Sequence, residues 1–284
     1  MNVARDKRGV REELAPARRA GRSVGLVPTM GFLHEGHLSL LRAARERCDV
    51  VVMSLFVNPA QFGPAEDLGS YPRDEARDLA LAEAEGVDVV YAPAVDEVYP
   101  EGFATTVDVA GGLTDVLDGD PAQRGPEHFR GVTTIVAKLL NSVGPDVAFF
   151  GQKDAQQAVV VQRMARDLDF PVEIAVLPTV RESDGLALSS RNAYLAPAER
   201  ERATALSRAL EAAQDAAAAG APTAPALEAA RAELERAGIE PEYLEARDAE
   251  TLAPAQSFNG RPVLVAVAAQ VGKARLIDNA VIGG

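Results

Sequence analysis

Cysteine, histidine and tryptophan are scarce in this 284-residue chain, which has one cysteine, three histidines and no tryptophan. Because Cys48 is alone, no disulfide can form within the chain, and neither a Cys₄ nor a Cys₂His₂ zinc site can be built. The absence of a disulfide is typical of the reducing cytoplasm. Residues 1–21 are charged and lack the apolar centre of a signal peptide. We therefore expect a cytoplasmic protein.

Basic residues are outnumbered by acidic ones, 29 to 42, which gives a formal net charge of −13. A nucleic-acid-binding protein usually carries a basic patch or stripe, so we expect no nucleic-acid partner. Small anionic substrates remain compatible with this charge, because a local basic pocket can form on an acidic protein. No apolar run reaches the ~18 residues that a membrane-spanning helix needs, so we expect no membrane partner.

Hydrophobic periodicity predicts alternating strands and helices up to Thr179. The stretches "SVGLVPT" and "VVVMSLFVN" are continuously apolar, which is typical of parallel strands buried on both faces. Apolar residues between them fall at helical spacing. The same order recurs as helix 74–85 and strand "VDVVYAP", helix 132–142 and strand "DVAFFG", and helix 155–168 and strand "VEIAVLPT". This alternation predicts an α/β fold, a Rossmann-like doubly wound parallel sheet with ligands at the carboxyl ends of its strands.

The pattern changes after Thr179. A loop of little periodicity, "RESDGLALSSRNAYL", precedes two alanine-rich helices at about 196–219 and 224–237, which the break "GAPTAP" separates. The strand-like pieces "EYLEARD", "PVLVAVAAQVG" and "ARLIDNAVI" follow. We therefore predict two domains, with residues 1–179 in the α/β domain and residues 180–284 in a smaller α+β domain.

Two of the three histidines lie close together in "PTMGFLHEGHLSL", between the first predicted strand and the first helix. The free N–H groups of a helix N-terminus favour an anion such as a phosphate, and Gly31 and Gly36 let the backbone approach a ligand closely. His34 and His37, three residues apart, can point the same way and donate hydrogen bonds to phosphates in a transition state. The alternatives are a pair of helix-capping histidines and a metal site, although zinc would need a third ligand nearby.

A second candidate segment, "FVNPAQFGPAEDLGSYPRD", directly follows the second strand. It is longer than the usual connection of ~4–6 residues, which is typical of a functional loop. Asn58 and Gln61 carry carboxamides that suit the recognition of hydroxyl and carboxylate groups. An ordinary turn at Asn58-Pro59 explains the composition equally well.

A third segment, "FFGQKDAQQ", again places a glycine between a strand and a helix. Lys153 can reach the phosphates of a nucleotide as a point charge. Asp154 is a candidate N-cap of the helix, and Gln157, one turn further on, should face the same cleft. A surface lysine beside a capped helix is the alternative.

The fourth segment, "RESDGLALSSRN", joins the two predicted domains. Ser189, Ser190 and Arg191 supply two hydroxyl donors and a planar cation, a set that suits a phosphate. Gly185 adds mobility, so this loop can close over a reacting phosphate.

The His-x-Gly-His spacing after a strand is similar to the signature of the nucleotidyltransferase superfamily, which includes class I aminoacyl-tRNA synthetases. Alone it indicates adenylyl transfer, so a related adenylyltransferase of that superfamily is the alternative function. Together with "HFRGVTTIVAKLLN" and "EYLEARDAETL", however, the four segments resemble the pantothenate synthetase (pantoate–β-alanine ligase) family along nearly the whole chain. The resemblance implies an ATP- and pantoate-binding domain over 1–179, a C-terminal lid over 180–284, and a cytoplasmic homodimer.

The resemblance also implies a reaction and its residues. (R)-Pantoate and β-alanine condense to pantothenate through a pantoyl adenylate, with Mg²⁺ assistance and release of pyrophosphate and AMP. The implied ATP-binding residues are Met30, His34, His37, Gly151, Lys153, Asp154, Val180, Ser189, Ser190 and Arg191. Of these, the implied catalytic residues are His34, His37, Lys153, Ser189, Ser190 and Arg191. The implied pantoate-binding residues are Met30, Asn58, Gln61 and Gln157, and Asp78 matches a carboxylate near Mg²⁺. Because an arginine in this chain is displaced by one position, the roles of Arg124 and His128 stay open.

Overall fold

A computed structural model describes residues 1–63, 68–69 and 71–283. Helices and strands alternate along the first part of the chain, as the sequence predicts. In chain order the elements are β1 (Asn2–Ala4), α1 (Lys7–Arg19), β2 (Val24–Thr29), α2 (Glu35–Arg47), β3 (Val50–Leu55), α3 (Glu75–Ala84), β4 (Val89–Tyr91), α4 (Val95–Val98), α5 (Pro126–Val143), β5 (Val147–Gly151), α6 (Ala155–Asp167), β6 (Glu173–Leu177), α7 (Pro197–Ala203), α8 (Ala205–Ala218), α9 (Thr223–Arg236), β7 (Pro241–Asp248), β8 (Val263–Val271) and β9 (Ala274–Ile282).

The first six strands form one sheet. Its order within the described residues is β1-β4-β3-β2-β5-β6, and each neighbouring pair is parallel. From β2 the chain adds strands first on one side and then, from β5, on the other, so the topological switch point lies between β2 and β5. Ligands of doubly wound sheets bind at this point, at the carboxyl ends of the strands. The histidine segment leaves β2 there and the lysine segment leaves β5, so the predicted α/β fold is confirmed.

Helices cover both faces of this sheet. Leu26 and Val27 are neighbours in β2, point to opposite faces and are both fully buried. Leu26 packs in a cluster with residues of α1, α5 and α6. Val27 packs with residues of α2 and with Ala82 of α3 on the other side. Burial on both faces explains why the strand sequences are apolar throughout rather than alternating.

The C-terminal part contains an antiparallel sheet in the order β7-β8-β9. One face packs on α8 and α9, mainly through alanine and leucine side chains. The other face reaches the α/β part, where Leu264 and Ala266 of β8 pack with Phe129 of α5 and Val159 of α6. Since both faces are covered, β8 is apolar along nearly its whole length. The predicted α+β character is confirmed, whereas the boundary at Thr179 stays a prediction.

Three details differ from the sequence-based expectation. The single helix expected at 196–219 is two helices, α7 and α8, which meet at Thr204. Helix α5 begins at Pro126, six residues earlier than expected, because proline fits the first turn of a helix and Gly125 before it adopts a φ of +79°. The charged N-terminus, for which no element was predicted, forms β1 and α1.

The second candidate segment is only partly visible. Pro59–Gln61 form a 3₁₀ turn directly after β3. Residues 64–67 and 70 of the expected functional loop lie outside the described residues. In the described part of the chain, no helix has the length and apolar character needed to cross a membrane.

Candidate active site

A cavity of about 260 Å³ lies at the carboxyl ends of the parallel strands and is closed on one side by the C-terminal sheet. All the predicted site residues except Asp78 line it. They are Met30, His34, His37, Asn58, Gln61, Gly151, Lys153, Asp154, Gln157, Val180, Ser189, Ser190 and Arg191. The fold therefore brings together residues that are up to 161 positions apart in sequence, although their individual roles stay predictions.

The loop between β2 and α2 is held by hydrogen bonds to Asp78 of α3, on the side facing away from the cavity. Its carboxylate accepts hydrogen bonds from the backbone N–H groups of Phe32 at 2.7 Å and Leu33 at 2.8 Å. Gly31 and Phe32 both have positive φ values, +84° and +51°. A Cβ on Gly31 would lie 2.8 Å from Leu55 and 2.9 Å from the Asp78 carboxylate, so this turn needs a glycine.

Asp78, the carboxylate expected near Mg²⁺, therefore faces the loop backbone and not the cavity. It is 1% exposed, does not line the cavity, and uses both carboxylate oxygens on the loop backbone. Its aspartate matches the family pattern in sequence, but the packing turns it towards the backbone. We interpret Asp78 as the anchor of the histidine loop.

The two histidines contact each other at the start of α2. Their ring centroids are 4.1 Å apart, and Nδ1 of His37 accepts a hydrogen bond of 3.3 Å from the backbone N–H of His34. Because this bond uses the lone pair on Nδ1, the proton of a neutral His37 is on Nε2. Capping and ligand binding, which the sequence offers as alternatives, are thus compatible: Nδ1 caps the helix and Nε2–H remains available as a donor.

Both imidazoles are neutral at pH 7. Burial, with a smaller contribution from the nearby Lys153 ammonium, lowers the pKa of His34 to about 4. Burial also lowers the pKa of His37 to about 3, with smaller contributions from His34 and Lys153. Nδ1 of His34 is buried without a hydrogen-bond partner among the described residues. A buried polar atom of this kind is typical of a site that is completed by a ligand.

We predict a pH-dependent stability from this pair. Since the folded pKa values lie below the ordinary value of about 6.5, the unfolded chain binds more protons between pH 6.5 and 4. The free energy of unfolding should therefore fall as pH drops through this window and gain nothing from the pair above it. At pH 4.5 the loss should be about 2.5 kcal/mol per histidine.

Urea unfolding at pH 7, 5.5 and 4.5 measures this loss. The matched control is the double variant His34→Gln/His37→Gln, whose unfolding free energy should fall less steeply because neither glutamine titrates. Parallel pH profiles for the wild type and the double variant would contradict the assigned pKa shifts.

Asn58 and Gln61 form a carboxamide pair beneath the cavity. Asn58 is 1% exposed, accepts a hydrogen bond of 2.7 Å from the hydroxyl of Tyr99, and donates to the Gly131 carbonyl at 3.1 Å. Its Nδ2 also donates to Oε1 of Gln61 at 3.0 Å. This bond leaves Nε2 of Gln61 for the cavity. Asn58 also caps the 3₁₀ turn. The turn and the recognition site, which the sequence offers as alternatives, are therefore compatible at this residue.

Arg124 and His128, whose roles the sequence leaves open, line the same cavity. Nδ1 of His128 lies 2.7 Å from the Gln61 carbonyl oxygen, and Nε2 lies 3.1 Å from the Arg124 guanidinium. A carbonyl only accepts and a guanidinium only donates, so the proton is on Nδ1 and Nε2 is the acceptor. His128 thus fixes the backbone of Gln61 and the direction of Arg124. The sequence gives no signal for this, because the contact joins positions 67 residues apart.

The lysine segment forms a 3₁₀ turn over Gln152–Asp154 that leads into α6. Asp154 occupies the N-cap position of α6, as predicted, although its side chain makes no capping hydrogen bond. The carboxylate is instead exposed beside Lys153 in the cavity wall. Gln157 faces the cavity one turn further on, as predicted. Its neighbour Gln156 is buried and holds the segment from Leu113 to Asp118 instead.

The serine–arginine segment is ordered by its own backbone. An N–H···O=C bond of 3.0 Å joins Leu188 to Val180, and Asn192 donates to the Ala187 carbonyl at 3.1 Å. Oγ of Ser189 accepts from the backbone N–H of Arg191 at 3.2 Å. These bonds hold the segment in a compact loop. The loop places the hydroxyls of Ser189 and Ser190 and the Arg191 guanidinium in the cavity wall, on the side of the C-terminal sheet.

Comparisons with known proteins agree with this arrangement. A family model described as pantoate-beta-alanine ligase matches residues 2–281. The chain is 56% identical over 284 residues to a pantothenate synthetase of Moorella thermoacetica, covering 99% of each protein. A crystal structure of the pantothenate synthetase of Thermus thermophilus superposes with a TM-score of 0.93 at 48% identity and covers 100% of both chains. A pantoate-beta-alanine ligase of Francisella tularensis, complexed with beta-gamma ATP and beta-alanine, gives 0.82 at 30% identity, covering 99% of this chain and 97% of that one.

Proposed function

This chain belongs to the pantoate–β-alanine ligase family, and on that premise we propose that it condenses (R)-pantoate with β-alanine to pantothenate through a pantoyl adenylate. The observation that carries the proposal is the joining of four sequence segments around one cavity at the switch point of the sheet. ATP is the second substrate, as the complex of the Francisella tularensis relative supports.

The chemistry explains why ATP is needed. A carboxylate resists attack by an amine, because the leaving group would be an oxide. In the first half-reaction the pantoate carboxylate attacks the α-phosphorus, and the bond to pyrophosphate breaks. In the second, the β-alanine amine attacks the acyl carbon, an amide bond forms, and AMP leaves with the electrons of the acyl–oxygen bond. No covalent bond to the protein forms, so catalysis comes from positioning and electrostatics.

The phosphates of ATP are assigned to the cationic and N–H-rich side of the cavity. Lys153 supplies a positive charge, and Nε2–H of His37 supplies a neutral donor at the helix N-terminus. Ser189, Ser190 and Arg191 approach from the C-terminal side. We propose that these groups stabilise the charge that develops on the leaving pyrophosphate. Met30, Gly151 and Val180 complete the nucleotide site.

Pantoate is assigned to the carboxamide side. Gln61 offers Nε2, Gln157 faces it from α6, and buried Asn58 holds Gln61 in place. Three apolar side chains of α5, Val132, Ile135 and Val136, line this region and suit the dimethyl carbon of pantoate.

Replacing Gln61 by alanine should weaken the binding of pantoate more than the binding of ATP. The loss of one hydrogen bond corresponds to about a tenfold rise in the KM for pantoate, with the KM for ATP changed less than about twofold. Initial-rate kinetics measure both constants. Gln162→Ala is the control, because Gln162 is an exposed glutamine of α6. An equal rise in both KM values would make Gln61 a structural turn residue.

Mg²⁺ enters the proposal with ATP. Magnesium in nucleotide sites is usually held by one or two carboxylates together with substrate phosphates. Asp154 fits this role, because its carboxylate is exposed in the cavity beside Lys153. Two other carboxylates of the cavity, Asp118 and Asp278, are paired with Arg275 and Arg181. Bound Mg²⁺ would neutralise phosphate charge.

We further propose that the C-terminal domain, residues 180–284, acts as a lid and that the enzyme is a cytoplasmic homodimer. The lid proposal is supported by the C-terminal residues in the cavity wall. Closure would keep water away from the adenylate, which water would hydrolyse. The family resemblance supports both the dimer and the cytoplasmic location. The presence of a single cysteine also supports the location, because it allows no disulfide within the chain.

The decisive assay mixes the protein with ATP, Mg²⁺, pantoate and β-alanine. Pantothenate, AMP and pyrophosphate should form in equal amounts, and no pantothenate should form if pantoate is left out. The competing function is a related adenylyltransferase, for which AMP would stay attached to the final product. Release of free AMP separates the two, and absence of both AMP and pantothenate would refute the ligase.

A further inference from the structure

Two neighbouring residues of β9 are polar although they are buried in the cavity wall. Asp278 is 2% exposed and Asn279 is 5% exposed. Their sequence context, "ARLIDNAVI", indicates only a strand. Buried polar groups are costly unless they are hydrogen-bonded, so their partners show what they hold.

Asn279 holds the turn that carries the cavity lysine. Its Nδ2 donates to the carbonyl oxygens of Gln152 at 3.0 Å and of Lys153 at 2.9 Å. Its Oδ1 accepts a hydrogen bond of 3.0 Å from Nε2 of Gln152. The three bonds use both ends of the carboxamide and join positions that are 126 and 127 residues apart.

Within the described residues, the turn has no capping side chain of its own. The side chain of Asp154 makes no capping hydrogen bond at the start of α6. Gly151 before the turn has nothing within 4 Å of the position of an added Cβ. The carbonyls that Asn279 binds belong to residues 152 and 153, so this side chain fixes the backbone from which the Lys153 side chain projects.

Asp278 holds the segment that carries Ser189, Ser190 and Arg191, which is also assigned to the phosphates. Its carboxylate binds the Arg181 guanidinium through two bonds of 2.6 and 3.0 Å, and Arg181 also donates to the Gly185 carbonyl at 3.0 Å. The Asp278 carboxylate further accepts from the backbone N–H of Asn279 at 2.8 Å. One strand of the C-terminal sheet therefore contacts two of the three segments that are assigned to the ATP phosphates.

We propose that Asn279 is a positioning residue for adenylation and that it acts through Lys153. Through Asn279, the position of the C-terminal sheet determines the position of the Lys153 ammonium. When β9 is docked, the turn at 152–153 is fixed and the ammonium points at the phosphates. When β9 moves away, the two carbonyls lose their partner and the turn is released. The inference rests on the proposed function, since it concerns the first half-reaction of that enzyme.

Asn279→Asp tests the coupling with little change of shape. A carboxylate cannot donate to the two carbonyls, so kcat for pyrophosphate release should fall about tenfold and the KM for ATP should rise, with the KM for pantoate unchanged. Asn279→Ser keeps one short donor and is the second variant should Asn279→Asp fail to fold. Gln152→Ala is the control, because it removes one of the three bonds and leaves both carbonyl bonds in place. It should lose less than about threefold.

A double-mutant cycle separates positioning from a general structural role. If Asn279 acts through Lys153, Asn279→Ser should have no further effect in a Lys153→Met background. Losses that multiply in the double variant, or wild-type kinetics for both Asn279→Asp and Asn279→Ser, would overturn the inference. The wild-type protein is assayed in parallel for pantothenate and AMP. Its failure to form them would refute the proposed function instead.

Discussion

Replacing His37 by alanine is expected to slow pyrophosphate release about 10²- to 10³-fold, the size of effect found when one transition-state donor is removed. The imidazole is neutral at pH 7 because burial lowers its pKa to about 3, and its Nδ1 accepts the His34 N–H, so Nε2–H is a neutral donor. His34→Ala should cause a loss of similar size, since the two rings lie side by side. Pre-steady-state measurement of pyrophosphate release gives the rate.

His37→Asn separates the two functions of this side chain. The asparagine oxygen can replace Nδ1 as the cap of the His34 N–H group, but nothing replaces the donor Nε2. We expect a rate as low as that of His37→Ala and a free energy of unfolding about 1 kcal/mol higher, the usual contribution of a cap. A rate near that of the wild type in both alanine variants would mean that the phosphates bind elsewhere.

Gly131→Ala, which adds a single methyl group, should damage both the stability and the pantoate side of the cavity. Gly131 lies in α5 against the 3₁₀ turn, where an added Cβ would overlap the Ala60 carbonyl and come within 2.7 Å of Cα of Gln61. These are backbone atoms, so the turn must move. We expect a destabilisation of about 1–3 kcal/mol. The displacement of Gln61 by about 1 Å should lower kcat/KM for pantoate about 10²-fold.

Gly9→Ala is the matched control. Gly9 lies in the first turn of α1, where an added Cβ would meet the Asp6 carboxylate at 3.3 Å and Ala4 at 3.5 Å. Both variants gain the higher helix propensity of alanine, about 1 kcal/mol. The difference between their unfolding free energies, from urea denaturation, therefore reports mainly the collision of the new methyl group with the 3₁₀ turn. Full activity in Gly131→Ala would show that the turn adapts without moving Gln61.

Much of the site could be predicted because its residues follow strand ends. Burial of β2, β3 and β5 on both faces produces apolar runs that are easy to recognise, and the sheet then brings their carboxyl ends together. His34, Asn58 and Lys153 each come directly after such a run. Their convergence is a consequence of topology, which the alternating pattern of strands and helices already contains.

The remaining contacts depend on tertiary packing, which produces no recognisable pattern in the local sequence. Asp78 matches a family position, but only the fold shows that it faces the backbone of Phe32 and Leu33. Asn279 lies in an ordinary strand, and its partners are more than 120 residues away. Long-range hydrogen bonds of this kind have no periodicity, so sequence patterns identify the segments of the site but not the side chains that hold them in place.

The single cysteine has a practical consequence for measuring motion. Cys48 is 5% exposed, lies against Gly25, and has a thiol whose pKa is raised by burial. Thiol reagents attack the exposed thiolate form, so the native chain should be almost inert to maleimides. A cysteine introduced on the surface of the C-terminal domain would then be the one reactive group. A fluorophore attached there would test the proposed movement of β9 over the cavity in real time, without any prior removal of native thiols.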